Sequence, residues 1–166
     1  KIVGISDSKG SVMTKNGGLN PATYVQIKNQ NRALRDAYCR GSVCDLSLLE
    51  EDQADIGEPD DVLTMEADIL IPAALDGVIT KEVAEKTKAK VILELANGPT
   101  TADADEVLRA RGIDVIPDVL ANAGGVTVSY FEWEQNMTGE SLTRRQVYEK
   151  LKPIMIRRTK QDVYKE

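Results

Sequence analysis

Four short apolar runs in this chain end on residues suited to holding a polar ligand. They lead into Asp7-Ser8-Lys9, Pro72-Ala73-Ala74, Ala96-Asn97-Gly98-Pro99, and a longer stretch with Asp118, Asn122, Ala123, Gly124 and Gly125. An amide both donates and accepts hydrogen bonds, so Asn97 and Asn122 suit a carboxamide or a ribose. In dinucleotide-binding folds an acid at the end of the second strand holds the adenosine ribose, a role open to Asp7. Alanine and glycine let a flat ring come close to the backbone. Taken singly, each Asn reads as a turn residue satisfied by its own backbone, and Asp7 equally as a turn former. Four compatible strand ends together point to a nucleotide cleft, because ligands of open parallel sheets sit at the carboxyl ends of the strands.

The stretch PDVLANAGGVTVSYFEWEQN, Pro117–Asn136, is the densest of the four. Pro117, Asp118, Asn122, Gly124 and Gly125 suggest a strand-to-helix turn. A helix starting at Gly-Gly offers unpaired N–H groups and a partial positive charge. At 3.6 residues per turn, Asn122, Val126, Ser129 and Trp133 share one face. The plainer reading is a capped core helix. Proton transfer has no evident home: the chain has no His, and no Lys or carboxylate pair stands in a motif that singles it out. No complete catalytic set is legible.

The elements that must present these residues follow from periodicity. Strands are expected over Lys1–Ser6, Ala67–Ile71, Val91–Leu95 and Ile113–Ile116. Helical spacing covers Ala22–Tyr38, with Tyr24, Ile27, Leu34 and Tyr38 inward and Gly41 as the stop. A short helix is expected near Leu46–Asp52. Thr80 caps a helix reaching about Lys88, and Asp103–Arg111 forms another, stopped by Gly112. From Thr143 to Glu166 the pattern is helical again, with Val147, Leu151, Ile154 and Met155 inward and Pro153 bending or dividing it. Strands alternating with helices imply an α/β fold, a Rossmann-like parallel sheet with flanking helices.

At 166 residues the chain fits one ordinary domain, and no linker suggests a second. Charged residues make up 29% and hydrophobic ones 42%, the balance of a folded protein rather than a disordered one. The net charge of −6, with no Lys/Arg run longer than two, argues against nucleic acid or an anionic membrane as partner. No apolar run approaches the ~20 residues that span a bilayer. Cys39 and Cys44 are the only cysteines; two free thiols in a cytoplasmic chain are expected, and no zinc site. No G-x-G-x-x-G occurs. Because residue 1 is Lys and strand character begins at once, the sequence reads as part of a longer chain, and if Asp7 is the ribose-holding acid the Gly-rich fingerprint lies before residue 1.

VGISDSKG, ADILIPAALDGVIT, ELANGPTTADAD and PDVLANAGGVTVSYFEWEQN, in this order and spacing, resemble the nucleotide-binding domain of the glutamate dehydrogenases, within the Glu/Leu/Phe/Val dehydrogenase family. The resemblance covers nearly the whole chain and is weakest over Cys39–Gln53 and after about Asn136. It implies reversible oxidative deamination of L-glutamate to 2-oxoglutarate and ammonia with NAD or NADP. Asp7 would meet the adenosine ribose with Ser8 placed to donate to a 2′-phosphate, Ala73 would lie against the cofactor, and Asn97 and Asn122 would position the nicotinamide and its ribose. Val126 and Ser129 would face the substrate, Ser129 near its side-chain carboxylate. Residues 1–142 would be a partial NAD(P)-binding domain and 143–166 a C-terminal helical segment. The family's first strand and Gly-rich loop would precede residue 1, and its catalytic Lys and Asp lie in a preceding domain, so this chain alone is expected to be inactive. Complete members are typically hexamers. The choice between NAD and NADP stays open. Asp7 would repel a 2′-phosphate by ~4 kcal/mol per unit charge at 4 Å and an effective dielectric of 20, which Lys9 and Ser8 could offset. Another amino-acid dehydrogenase of the family, or a non-catalytic nucleotide-binding sensor, are the alternatives.

Overall fold

The computed structural model describes residues 1–15 and 17–163, with side chains through Arg157. These residues pack as two compact units, the first Lys1–Ala67 with Lys86–Ala89, the second Asp68–Glu85 with the described residues from Lys90 onward. The division falls inside the expected single domain. No linker composition marks it, because each unit has its own small sheet and the chain passes between them with no spacer, at Ala67–Asp68, Glu85–Lys86 and Ala89–Lys90.

The first unit is built on an antiparallel sheet of β1 (Gly4–Asp7), β2 (Gly10–Thr14) and β5 (Ala54–Gly57), in the order β1-β2-β5. Ser8 and Lys9 make the tight β1–β2 turn, with Asp7 opposite Gly10. The opening strand is therefore present, but it is not part of a parallel sheet: the next segment folds straight back on it. Helix α1 (Pro21–Asn29) starts with Pro21 in its first turn and the Asn20 side chain accepting from Ala22 N at 3.1 Å. It ends well short of Tyr38. The polar Gln30-Asn31 pair leaves the helix, Asn31 taking a left-handed conformation (φ 56°) that Asn tolerates, and a 3₁₀ turn over Leu34–Ala37 follows. Tyr24, Ile27, Leu34 and Tyr38 are nonetheless all buried, packing with Val12, Leu19, Cys39 and Ala54.

Next come a two-residue hairpin, β3 (Cys39–Arg40) with β4 (Val43–Cys44), then α2 (Leu46–Asp52), as expected, and α3 (Asp61–Thr64). Gly41 stops no helix; it turns this hairpin (φ 65°). The expectation of free thiols is overturned here. The hairpin register sets Cys39 opposite Cys44, and the two are joined by a disulfide. A five-residue offset brings two cysteines together only if a tight hairpin lies between them, and no strong turn signal announced one.

The second unit carries the parallel sheet, β6 (Ile69–Leu70), β7 (Val91–Leu93) and β8 (Asp114–Ile116), in that order. Ile69 pairs with Val91, and Ile92 with Val115. Helix α4 (Lys81–Lys86) links β6 to β7, and α5 (Ala102–Ala110) links β7 to β8. The α/β fold with flanking helices is thus present in this unit. Ile79, Ala84, Ile92, Ala104 and Leu108 are fully buried, so α4 and α5 each turn an apolar face inward. After β8 come a one-turn helix α6 (Asp118–Ala121), then α7 (Ala123–Thr138) and α8 (Arg144–Val163). Gly139, left-handed at φ 72°, ends α7, and Thr143 with Gln146 caps the start of α8. Helix α8 is not divided at Pro153, since one lost backbone donor leaves the turns on either side intact. Among the described residues no helix is long and apolar enough to cross a membrane.

Candidate functional site

In the second unit the loops leaving β6, β7 and β8 are knitted into one rim at the carboxyl ends of the strands. The Pro72 carbonyl, just before Ala73, accepts from Leu95 N at 3.0 Å and Ala96 N at 2.9 Å. Parallel pairing thereby extends past the strands and sets Ala73 beside the loop carrying Asn97. Glu94 N donates to Ile116 O at 3.0 Å, doing the same between β7 and β8. Gly98 takes a left-handed conformation (φ 53°), which lets the loop turn sharply after Asn97.

The expected open turn after Pro117 is the helix α6, and this is what brings the amides together. Pro117, at the N-cap, has no side chain to cap the helix. The Asp118 carboxylate reaches across to accept from Gly98 N at 2.7 Å. One turn later Asn122 closes the helix and begins α7. Its Nδ2 donates to Asn97 Oδ1 at 2.7 Å, with weaker approaches to the carbonyls of Leu95 and Ala96 at 3.4 and 3.5 Å. Among the described residues Asn97 Nδ2 and Asn122 Oδ1 are left without a protein hydrogen bond, one a donor and the other an acceptor, on two amides already bonded to each other. A primary carboxamide offers the reciprocal pair.

Helix α7 continues from this rim. An added Cβ on Gly124 or Gly125 meets nothing within 4 Å, so the space over its first turn is open. Val126 is 69% exposed, and Ser129 is exposed one turn on, its hydroxyl donating to Gly125 O at 3.2 Å. That back-bond holds Ser129 along the helix and must be given up for its hydroxyl to donate elsewhere. Trp133 and Tyr130 continue the exposed stripe, their ring centroids 5.7 Å apart.

Asp7 and Ser8 belong to the first unit, on the antiparallel sheet. Ser8 is exposed in the β1–β2 turn. Asp7 is engaged on both oxygens: Oδ1 accepts from Lys9 N at 2.9 Å, and Oδ2 from Lys28 Nζ at 2.9 Å and Leu34 N at 3.2 Å. Partial burial raises its pKa, but the bonds from Lys28, Lys9 and Leu34 outweigh that and hold the carboxyl below its ordinary value.

Two residues of these arrangements, Lys28 and Glu94, were not singled out by pattern, and Asp118 was named at its strand end without the bond it makes. Lys28 sits in the last turn of α1, where a solvated lysine is ordinary. Asp118 had the look of a turn residue. Glu94 did carry a signal: an acid inside the apolar run Val91–Leu95, and it is only 6% exposed.

The sequence profile of the Glutamate/Leucine/Phenylalanine/Valine dehydrogenase family matches residues 1–166. The chain belongs to that family. It is 44% identical to an NADP-specific glutamate dehydrogenase of Synechocystis sp. over 156 residues, 94% of this chain and 35% of the relative. The chain thus spans about a third of the length of that relative. Among solved structures it resembles Plasmodium falciparum glutamate dehydrogenase 2, at 30% identity and a TM-score of 0.72, over 96% of this chain and 34% of that one. It also matches a hetero-hexameric glutamate dehydrogenase from Thermus thermophilus, at a TM-score of 0.74 and 24% identity over 95% of this chain and 33% of that one, a likeness of fold.

Proposed function

We propose that this chain is the cofactor-binding part of a glutamate dehydrogenase, catalysing reversible oxidative deamination of L-glutamate to 2-oxoglutarate and ammonia. Residues 1–142 form its partial NAD(P)-binding domain and 143–166 its C-terminal helical segment. The observation that carries this reading is the Asn97–Asn122 pair, whose unused donor and acceptor match the carboxamide of a nicotinamide. The family membership and the 44% identity to an NADP-specific glutamate dehydrogenase support it.

In this reading Asp7 meets the adenosine ribose, Ser8 donates to a 2′-phosphate where one is present, and Ala73 gives the cofactor close access to backbone. Asn97 and Asn122 orient the nicotinamide and its ribose. Val126 packs against substrate, and Ser129 releases Gly125 O to donate to the substrate's side-chain carboxylate. When bound, the nicotinamide accepts or returns the hydride. The proton-transfer groups come from the rest of the full-length protein, and this chain by itself is inactive. Either NAD or NADP is accommodated: Lys28 neutralises Asp7, lowering the repulsion that a bare acid would exert on a 2′-phosphate. The full-length protein works in the cytoplasm as a hexamer, with neither nucleic acid nor membrane as partner.

The test is steady-state oxidation of L-glutamate and L-leucine by the full-length protein with each coenzyme. Turnover with glutamate is expected, lost on Asn122→Ala. A preference for leucine ends the glutamate assignment in favour of another dehydrogenase of the family. No turnover with any amino acid, alongside retained dinucleotide binding, favours a sensor.

A further inference from the structure

We infer that Glu94 is a positioning residue for the nicotinamide end of the site. The inference rests on the reading of Asn97 and Asn122 given above and adds a group that touches neither of them. Glu94 follows directly on β7 and is 6% exposed, a place where an aliphatic side chain would be the cheaper choice. Its Oε2 accepts from Asp118 N at 3.0 Å.

That bond supplies what the helix it serves cannot. The N-cap of α6 is Pro117, without a capping side chain, and both oxygens of the next residue are committed. Asp118 Oδ1 accepts from Val119 N at 2.6 Å, and Oδ2 from Gly98 N at 2.7 Å. Glu94 caps the helix from the neighbouring strand. Three cross-links then join residues 94–98 to residues 118–122: Glu94 to Asp118, Asp118 to Gly98, and Asn122 to Asn97. The four residues of α6 transmit the first two to the third, because Asn122 N donates to Asp118 O at 2.9 Å. With Glu94 in place the two amides meet at 2.7 Å with one donor and one acceptor free. Without it the backbone N–H of Asp118 loses its acceptor. The first turn of α6 is then tied to residues 94–98 by the Asp118 bond to Gly98 N, and the amide pair loses its fixed spacing.

The experiment uses the full-length dehydrogenase and compares two probes: reduced dinucleotide (NADPH, or NADH if NAD is preferred) and the matching ADP-ribose, with or without its 2′-phosphate, which lacks the nicotinamide. Glu94→Ala is expected to weaken reduced-dinucleotide binding about tenfold while leaving ADP-ribose affinity unchanged. Glu94→Gln, which keeps an oxygen acceptor of the same length, restores it to within about twofold. Glu94→Asp, one methylene shorter but still charged, gives an intermediate loss and serves if the alanine variant does not fold. Equal weakening of both probes, or of neither, overturns the inference. Asn122→Ala separates the two levels. If it shows the selective loss and the Glu94 variants do not, positioning by Glu94 is wrong and the amide-pair reading stands. If Asn122→Ala shows none, the amide-pair reading is wrong and the inference falls with it.

Discussion

The two units hold their candidate binding groups by different physics. In the first, a single carboxylate is fixed by charge and charge-assisted bonds: Asp7 between Lys28, Lys9 N and Leu34 N. In the second, two neutral amides are fixed by a lattice of short loops whose only buried charge, Glu94, faces a backbone N–H rather than a cation. A charged anchor responds to pH, salt and an added phosphate. A neutral amide pair discriminates by shape and by the order of donor and acceptor, and carries no charge of its own for salt or a phosphate to act on. The two arrangements therefore follow independent rules that can be broken separately.

The amide pair is the place to break first. Asn122→Ala removes the bond to Asn97 and the acceptor offered to a carboxamide. Two hydrogen bonds at ~1–1.5 kcal/mol each predict about a hundredfold loss in kcat/KM for the coenzyme. The loss should be the same at low and high salt. A strong salt dependence would mean that the second unit recognises its ligand by charge after all.

The next largest effect belongs to the first unit and concerns stability. Closing a loop of about six residues predicts about 2 kcal/mol from the Cys39–Cys44 disulfide, because the cross-link restricts the unfolded chain. Reduction with dithiothreitol should lower the unfolding free energy by that amount, shifting the denaturation midpoint down, and Cys39→Ser with Cys44→Ser should abolish the response. A midpoint that does not move on reduction would place these sulfurs apart in solution.

Lys28→Ala sharpens the contrast further. It leaves Asp7 as an uncompensated acid, so KM for NADP should rise about tenfold while KM for NAD changes little. The Coulomb estimate of ~4 kcal/mol at 4 Å must be cut to ~1.4 kcal/mol because the Lys28 side chain is half exposed. Equal changes for both coenzymes would remove Asp7 from the neighbourhood of the 2′ position.

These arrangements were unevenly legible beforehand. The inward positions Tyr24, Ile27, Leu34 and Tyr38 could be read from spacing even though their helix ends at Asn29, since burial follows side-chain character more closely than element boundaries. The parallel sheet showed in its apolar β-branched runs. The antiparallel one did not: Gly10–Thr14 and Ala54–Gly57 are short and mixed in polarity, and they pair with each other across some forty residues. Asn97 and Asn122 were visible as residue types at strand ends, yet their contact depends on α6, a single turn too short for any periodicity. Lys28 meets Asp7 across 21 residues, a pairing no local pattern carries.

The smallest effect is the share of the acid limb of stability that Asp7 contributes. Its pKa in the folded protein lies below the ordinary value, held there by Lys28, Lys9 N and Leu34 N against the opposing pull of burial. A depressed carboxyl contributes stability that is fully present above the unfolded pKa and is lost as pH falls through the folded one. Asp7→Asn costs something at every pH, because an amide cannot accept on both sides, so the offset alone is uninformative. The slope is the test: the stability difference between wild type and Asp7→Asn should be constant near neutrality and shrink in acid. No Asn122 variant should show this shrinkage, since the amide pair carries no titrating group. A parallel acid limb in Asp7→Asn would show that Lys28 and Leu34 N do not hold a charge at this position, and the contrast between a charged anchor and a neutral one would disappear.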